Sequence, residues 1–434
     1  MSTEQSEPIK TVDHKPHAAF FRQSGWLMIA AIAGGGLTYG VHFLAKSESV
    51  PKAQYAAFGT LLMVVACLPT MPLQMVFAQQ SALALATGRE RQLAGMIRIA
   101  WFWTLLVWLA GAALVFVFQK QIIAGWHLPD ATGLWMTLVL LLFSLWLPMF
   151  SGVLQGRQDF FWMGWSTILS SVGRLAGAAI LVLAIGMGAS GMIIGALIGI
   201  ALGALITMWR SRDLWSLRSE KFDGKTLLRQ VLPLVFGFGA CQFLFTSDTM
   251  FTKAYFSDDE MGPYVAAGTL SRGLLWLVLP LAAVMFPKIV ASSARKEKSN
   301  LFALVVLGTA VLAICGGLGL WIFGPLAIKI VYKSTYLGAA TLIPWYAAAM
   351  VPLALANVLA NDLLARGKFR VVPWMVALAL AYGFALPYIL NHYPRKLETV
   401  LQTLGAFNAL LLVVCAWAAF GKSEKETVTS PAAN

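Results

Sequence analysis

Long apolar runs alternate with short polar connections along almost the whole chain. A helix that crosses a bilayer needs about 20 apolar residues. About twelve runs reach that length, at residues 24–45, 54–86, 94–118, 133–154, 160–187, 189–209, 230–256, 263–291, 300–328, 336–364, 371–391 and 397–420. Pro69 and Pro72 fall inside the second run and predict a kink there, because proline removes a helix hydrogen bond. The glycine-rich turn from Gly186 to Gly191 separates the fifth run from the sixth. The pattern predicts an all-α polytopic membrane protein.

Composition agrees. Of 434 residues, 59% are hydrophobic and 12% charged, whereas a soluble chain carries about 25% charged residues. The mean hydropathy is +0.74. These values exclude a soluble enzyme, a disordered protein and a receptor with one anchor. The four cysteines, Cys67, Cys241, Cys315 and Cys415, are isolated within apolar runs and show no metal-ligand spacing.

The net charge of +13 would suggest nucleic acid in a soluble protein. Here the basic residues stand in alternate connections: Arg89, Arg91 and Arg98, then Arg157, then Arg210 to Arg229, then Lys288 to Lys298, then Arg366 to Arg370. They are orientation signals, and a nucleic-acid partner is not expected. By the positive-inside rule that side is cytoplasmic, and both tails belong to it. The polar first residues, through Lys10, Asp13, Lys15 and Arg22, show no secretory signal and read as a cytoplasmic tail. The expected organisation is a tail at 1–23, a six-helix half at 24–209, a cytoplasmic linker at 210–229, a second six-helix half at 230–420 and a tail at 421–434.

A short repeat supports the two halves. Tyr55-Ala-Ala-Phe-Gly-Thr-Leu61 and Tyr264-Val-Ala-Ala-Gly-Thr-Leu270 agree at five of seven positions, and each opens the second helix of its half. Halves related in this way place a cavity between them near the midplane.

Ionisable groups inside spans cost about 2.5–3.5 kcal/mol each on insertion scales, so each requires a reason. Four lie well inside: Arg174, Asp248, Lys253 and Arg272. Asp248 and Arg272 each stand about ten residues from the connection at 257–262, hence roughly 15 Å deep on two antiparallel helices. They can form a structural ion pair. Alternatively, Arg272 can hold an anionic substrate while Asp248 serves as its counter-ion or as a coupling-ion site. Lys253 is about one turn from the connection, where snorkelling to the surface accounts for it. Arg174 is too deep to snorkel and must pair or line the cavity. Arg22 precedes the first span, either as a positive-inside anchor or at the cavity mouth. Asn357, Asn361 and Asp362 read as interhelical hydrogen-bonding groups. Asp258, Asp259 and Glu260 read as a solvated turn. His42, near the outer end of the first span, reads as an interfacial histidine or a protonation switch. No Ser/His/Asp group, metal cluster or P-loop is present, so neither an enzyme nor a cofactor is expected.

Taken together, the twelve spans in two halves, the stretch Gln155-Gly-Arg-Gln-Asp-Phe160 ahead of Arg174, and the stretch with Asp248, Gly262-Pro-Tyr264, Arg272 and Pro287-Lys288 resemble one family. It is the multidrug/oligosaccharidyl-lipid/polysaccharide exporter superfamily, in particular its polysaccharide-transporter (Wzx-type) flippases. The resemblance implies translocation of a polyprenyl-diphosphate-linked oligosaccharide between leaflets of the inner membrane by alternating access, for O-antigen or exopolysaccharide synthesis. It implies Arg272 and Arg174, then Lys253 and Arg22, as groups that hold the diphosphate and sugar. A proton or sodium ion exchanged through Asp248, or membrane potential acting on an anionic lipid, would each fit as the driving force, and a polysaccharide polymerase is a further partner that the resemblance leaves open. A cation-coupled drug or metabolite antiporter and a membrane-embedded glycan polymerase are the alternatives. The first predicts an acid-dominated cavity, the second catalytic carboxylates on a large outer loop.

Overall fold

The computed structural model describes residues 15–220, 224–275 and 301–420. Fourteen helices carry these residues. The first half contains α1 (Lys15–Gly40), α2 (Lys52–Ala66), α3 (Thr70–Thr87), α4 (Glu90–Gly125), α5 (Ala131–Gly156), α6 (Phe160–Ala179) and α7 (Gly188–Arg210). A short helix, α8 (Asp213–Ser216), follows. The second half contains α9 (Gly224–Tyr255), α10 (258–275), α11 (Leu301–Val331), α12 (Ala339–Ala365), α13 (Val372–His392) and α14 (Leu397–Phe420).

Eleven segments among the described residues are long and apolar enough to cross a membrane. The expected eighth span, 263–291, begins with α10 and continues outside the described residues, as do Pro287 and Lys288. No strand occurs among the described residues. The chain is therefore an all-α, multi-pass membrane protein.

Two differences from the expected boundaries have local causes. The first helix begins at Lys15, inside the stretch assigned to the tail. Pro16 stands in its first turn, where a missing N–H loses no hydrogen bond. The second run divides into α2 and α3 at Cys67–Pro69, and together they form one 36-residue crossing. Pro69 has no N–H to continue α2, and the Thr70 N–H turns back to the Leu68 carbonyl at 2.9 Å.

Side-chain caps set other corners. Asp130 accepts the N–H groups of Thr132 (2.7 Å) and Gly133 (3.2 Å) and starts α5. At the start of α10 the Ser257 N–H and hydroxyl both donate to the Glu260 carboxylate, at 3.1 and 2.7 Å. That pair of bonds fixes the tight turn between α9 and α10 and makes the two helices antiparallel neighbours.

Packing follows small residues. The helices α6 and α7 lie so close that a Cβ on Gly199 would sit 2.3 Å from the Ser170 carbonyl oxygen. In the second half α12 is the central helix, packed against α11 and α14, while α13 packs on α9. The halves meet where α2 and α3 pack on α9.

The stretch after α7 is held against the first half. The Arg98 guanidinium donates to the carbonyls of Trp215 (2.5 Å) and Leu217 (2.6 Å). Arg157 makes a two-pronged pair with Asp213 at 3.0 and 2.6 Å. The Glu220 N–H donates to the Arg91 carbonyl at 3.1 Å. Residues 211–220 are thus a strap across the end of the bundle that carries the basic connections, called here the basic end.

Candidate functional site between the two halves

A cavity of about 620 Å³ lies between the halves. The first half contributes the α2–α3 break (Val65 to Gln74), α5 (Ser144 to Ser151) and α6 (Met163 to Ser171). The second contributes α9 (Phe238, Cys241, Gln242, Phe245) and α12 (Ala354, Asn357, Val358, Asn361). On both α6 and α9 the lining recurs every three or four residues, as one helix face requires. On α5, α6 and α12 the lining positions lie between the middle of the helix and the basic end, while on α9 and at the α2–α3 break they lie about the middle. Hydroxyl and amide side chains interrupt an otherwise apolar wall, and no charged residue lines the cavity among the described residues.

At the far end the halves are closed on each other. Tyr55 of α2 and Tyr332, just after α11, share a hydrogen bond at 2.8 Å, and the Tyr55 hydroxyl also meets His42 Nδ1 at 2.7 Å. All three side chains are buried. Lys333 Nζ donates to the Ser47 carbonyl at 3.2 Å, and Lys52 pairs with Asp259 at 3.4 Å. The two copies of the repeat touch here, since a Cβ on Gly59 would lie 2.2 Å from a methyl of Val265. Only a glycine allows the backbone of α2 this close to α10.

Beneath the cavity Asp248 and Arg272 are brought together. Arg272 Nη2 donates to Asp248 Oδ1 at 2.7 Å. The other oxygen, Oδ2, accepts from the Tyr264 hydroxyl (2.7 Å), the Thr249 hydroxyl (3.4 Å) and the Tyr346 hydroxyl. The Arg272 guanidinium also donates to the Phe245 carbonyl (2.9 Å) and the Thr249 hydroxyl (2.8 Å). It lies over the rings of Phe245 and Tyr346, at 5.6 and 5.2 Å. Asp248 is fully buried and Arg272 nearly so. Two buried charges survive only with this degree of mutual compensation. Arg272 is not in the cavity wall, but Phe245 and Leu275, which flank it, are.

The other predicted residues fare differently. Lys253 is fully buried and pairs with Asp258, so a carboxylate and not surface water receives its ammonium group. The acidic turn is therefore divided among three tasks: Asp258 meets Lys253, Asp259 meets Lys52, and Glu260 meets Ser257. Arg174 stands in α6 beside Leu175, whose side chain a Cβ on Gly40, two residues before His42, would meet at 3.4 Å. The Arg174 Nε is buried and has no hydrogen-bond partner among the described residues. Arg22 lies within α1, and its side chain is outside the described residues.

Asn357 and Asn361 belong to the cavity wall rather than to an interhelical contact. Asn361 Nδ2 donates within its own helix, to the Asn357 carbonyl (2.8 Å) and the Asn357 side-chain oxygen (3.3 Å). Gln242 and the α6 hydroxyls also line the cavity without having been singled out. Their signal in the sequence was the i, i+4 recurrence of Ser/Thr at Ser166, Thr167, Ser170 and Ser171, and an amide deep in the seventh span.

No curated protein matches the chain by sequence. Among solved structures, an inward-facing multidrug resistance transporter of the MATE family and MOP superfamily superposes with a TM-score of 0.72 at 11% identity, over 90% of this chain and 93% of that one. Lipid II flippase MurJ, in an inward closed conformation, superposes with a TM-score of 0.66 at 15% identity, over 92% and 87%. A MOP superfamily transporter from Pyrococcus furiosus, with a binding pocket described as of reverse polarity, gives 0.56 at 11% identity over 92% and 94%. These likenesses establish the fold. The family profile described as Lipid II flippase MurJ matches residues 100–425, three quarters of the sequence. The chain belongs to the MurJ family of lipid II flippases.

Proposed function

We propose that the protein is a flippase that carries a polyprenyl-diphosphate-linked saccharide across the inner membrane by alternating access. The observation that carries this reading is the cavity between the halves, placed toward the basic end and backed by a closed far end. By the positive-inside rule the basic end faces the cytoplasm, where such lipids are assembled. A volume of about 620 Å³ falls within the range of roughly 300–1,000 Å³ typical of small-molecule sites. It suits a polar headgroup, with the polyprenyl tail left in the bilayer.

The family profile favours lipid II as the first substrate to assay. The sequence pattern around Arg174, Asp248 and Arg272 favours an O-antigen or exopolysaccharide repeat, with a polymerase as the protein that receives it. Both share the polyprenyl diphosphate. Arg174 is the proposed diphosphate contact, because its guanidinium has donor capacity to spare. Arg272 assists from beneath the wall, with Asp248 as its counter-ion. Lys253 and Arg22 remain proposed as secondary cationic groups. A proton or sodium ion acting at Asp248 would compete with Arg272, two tyrosines and Thr249. Membrane potential acting on an anionic headgroup needs no such competition and is the proposed driving force.

The test is translocation of a lipid-linked saccharide by the purified protein in sealed vesicles, read by enzymatic accessibility of the sugar on each face. Faster transfer than in protein-free vesicles is expected, with dependence on an imposed potential. Transfer at the protein-free rate, together with ion-driven export of an organic cation, would favour the antiporter.

A further inference from the structure

We infer that the amide face of α12, Asn357 and Asn361, is a subsite for the neutral saccharide of the substrate and not for its diphosphate. The inference rests on the flippase reading and adds which part of the headgroup binds where. Hydrogen-bonding capacity left over in the wall carries it. Asn361, a residue of the cavity wall, spends its N–H groups on Asn357, and among the described residues no donor meets its side-chain oxygen, which is left as an acceptor. Gln242 donates to the Ala66 carbonyl at 2.5 Å, an oxygen freed by the break before Pro69, so its side-chain oxygen is likewise an acceptor.

The hydroxyls on the opposite wall are disposed the same way. Thr167 and Ser171 donate to helix carbonyls one turn back, at 3.1 and 3.0 Å; Thr167 keeps its lone pairs, while Ser171 gives one to the Thr38 hydroxyl at 3.1 Å and keeps the other. Asn357 adds an uncommitted side-chain N–H group among the described residues.

A wall rich in acceptors and free of positive charge is the wrong partner for a diphosphate, which brings acceptors only. Sugar hydroxyls and acetamido groups bring O–H and N–H donors, and the Asn357 amide can meet an acetamido carbonyl. The cationic groups lie elsewhere, with Arg174 toward the far end beside Leu175 and Arg272 beneath Phe245. The headgroup is thus divided: saccharide on α12 toward the basic end, diphosphate deeper among the arginines.

The experiment measures binding to the purified full chain of two probes, polyprenyl diphosphate bearing an N-acetylated disaccharide and the same lipid without sugar. The variants are Asn357→Leu with Asn361→Leu, and the milder Asn361→Ser. Among the described residues both asparagine side chains bond only within one turn of α12, so folding is expected to persist, and thermal unfolding checks it. The double variant is expected to weaken the disaccharide probe about tenfold while leaving the bare lipid within about twofold. Asn361→Ser should fall between. Equal loss for both probes, or no loss for the disaccharide, overturns the subsite. If the wild-type chain binds neither lipid, the flippase reading falls first and the subsite falls with it.

Discussion

At the scale of single residues, three of the four charges inside the spans divide by what surrounds them. Asp248 and Arg272 satisfy each other and recruit Tyr264, Tyr346 and Thr249. Removing one partner strands the other in a dry site, so Asp248→Asn or Arg272→Met should each destabilise the chain by about 3–5 kcal/mol. The double variant Asp248→Asn/Arg272→Met should regain most of that loss, and thermal unfolding of the four proteins in one detergent checks the cycle. Arg174 is the reverse case. Its Nε is buried with no partner among the described residues, so Arg174→Met should leave stability unchanged or raise it by about 1–3 kcal/mol. Translocation should fall at the same time. A loss of both together would make Arg174 a structural residue. The depth of these groups was legible in the sequence because distance from a turn converts to depth at 1.5 Å per residue. Which of them would be paired was not. That depends on rotation about the helix axis, and no count along one strand of text supplies it. Asn357 escaped for the same reason, since a cavity wall and a helix contact demand the same polar residue at the same depth.

Elements show where local chemistry overrides hydropathy. The second run is a continuous apolar stretch, yet the Pro69 break makes it two helices, and the carbonyl it frees is taken by Gln242 of the other half. The prolines announced the break; the recipient of the carbonyl lies 176 positions away and could not be read locally. The segment at 210–229 reads as a polar linker, but residues 211–220 are a strap. Its strength comes from Arg98, whose two charge-assisted bonds end on carbonyls and so leave no trace as a charge pattern. Arg98→Ala should free the strap and speed protease cleavage within residues 211–220, with a stability loss of about 1.5–3 kcal/mol. The Arg157–Asp213 tie is weaker. Asp213 is half exposed, which limits the tie to less than about 1 kcal/mol. The Arg157 hydrogen bond holds the Asp213 carboxyl below its usual range. A depressed carboxyl contributes above its unfolded value and is lost as pH falls through the folded one. Asp213→Asn should therefore raise hydrogen exchange in the strap at neutral pH. The difference from wild type should begin to shrink only as pH falls below the ordinary Asp range, about 4, and vanish once it is below the depressed folded value.

For the whole molecule the question is which contacts must break for the cavity to reach the other side. The far-end closure joins the halves through Tyr55–Tyr332, Lys333–Ser47, Lys52–Asp259 and the contact of Gly59 with Val265. The basic end has the cavity instead. Alternating access requires this closure to open as the basic end shuts, and packed contacts of this kind switch between discrete arrangements. The repeat at 55–61 and 264–270 was visible in the sequence as a sign of two halves. That its two copies would meet face to face, with Gly59 on Val265, followed only from the fold. The geometry there permits a lock. A Cβ on Gly59 would stand 3.2 Å from the Val265 Cβ, close to the roughly 3.5–4.5 Å that a disulfide spans. In a chain with Cys67, Cys241, Cys315 and Cys415 replaced, Gly59→Cys/Val265→Cys should cross-link under mild oxidation. The oxidised protein should bind lipid-linked saccharide at the basic end yet not translocate it, and a reductant should restore transfer. The single variant Gly59→Val tests the same surface from the other direction. Its side chain cannot fit against Val265, so it should hold the far end open and raise labelling by an impermeant thiol reagent of a reporter cysteine placed at Ser47, in the same closure, with Val265 kept. Transport by the oxidised double cysteine at the reduced rate would mean that α2 and α10 do not separate during the cycle, and the opening would then have to run between other helices of the two halves.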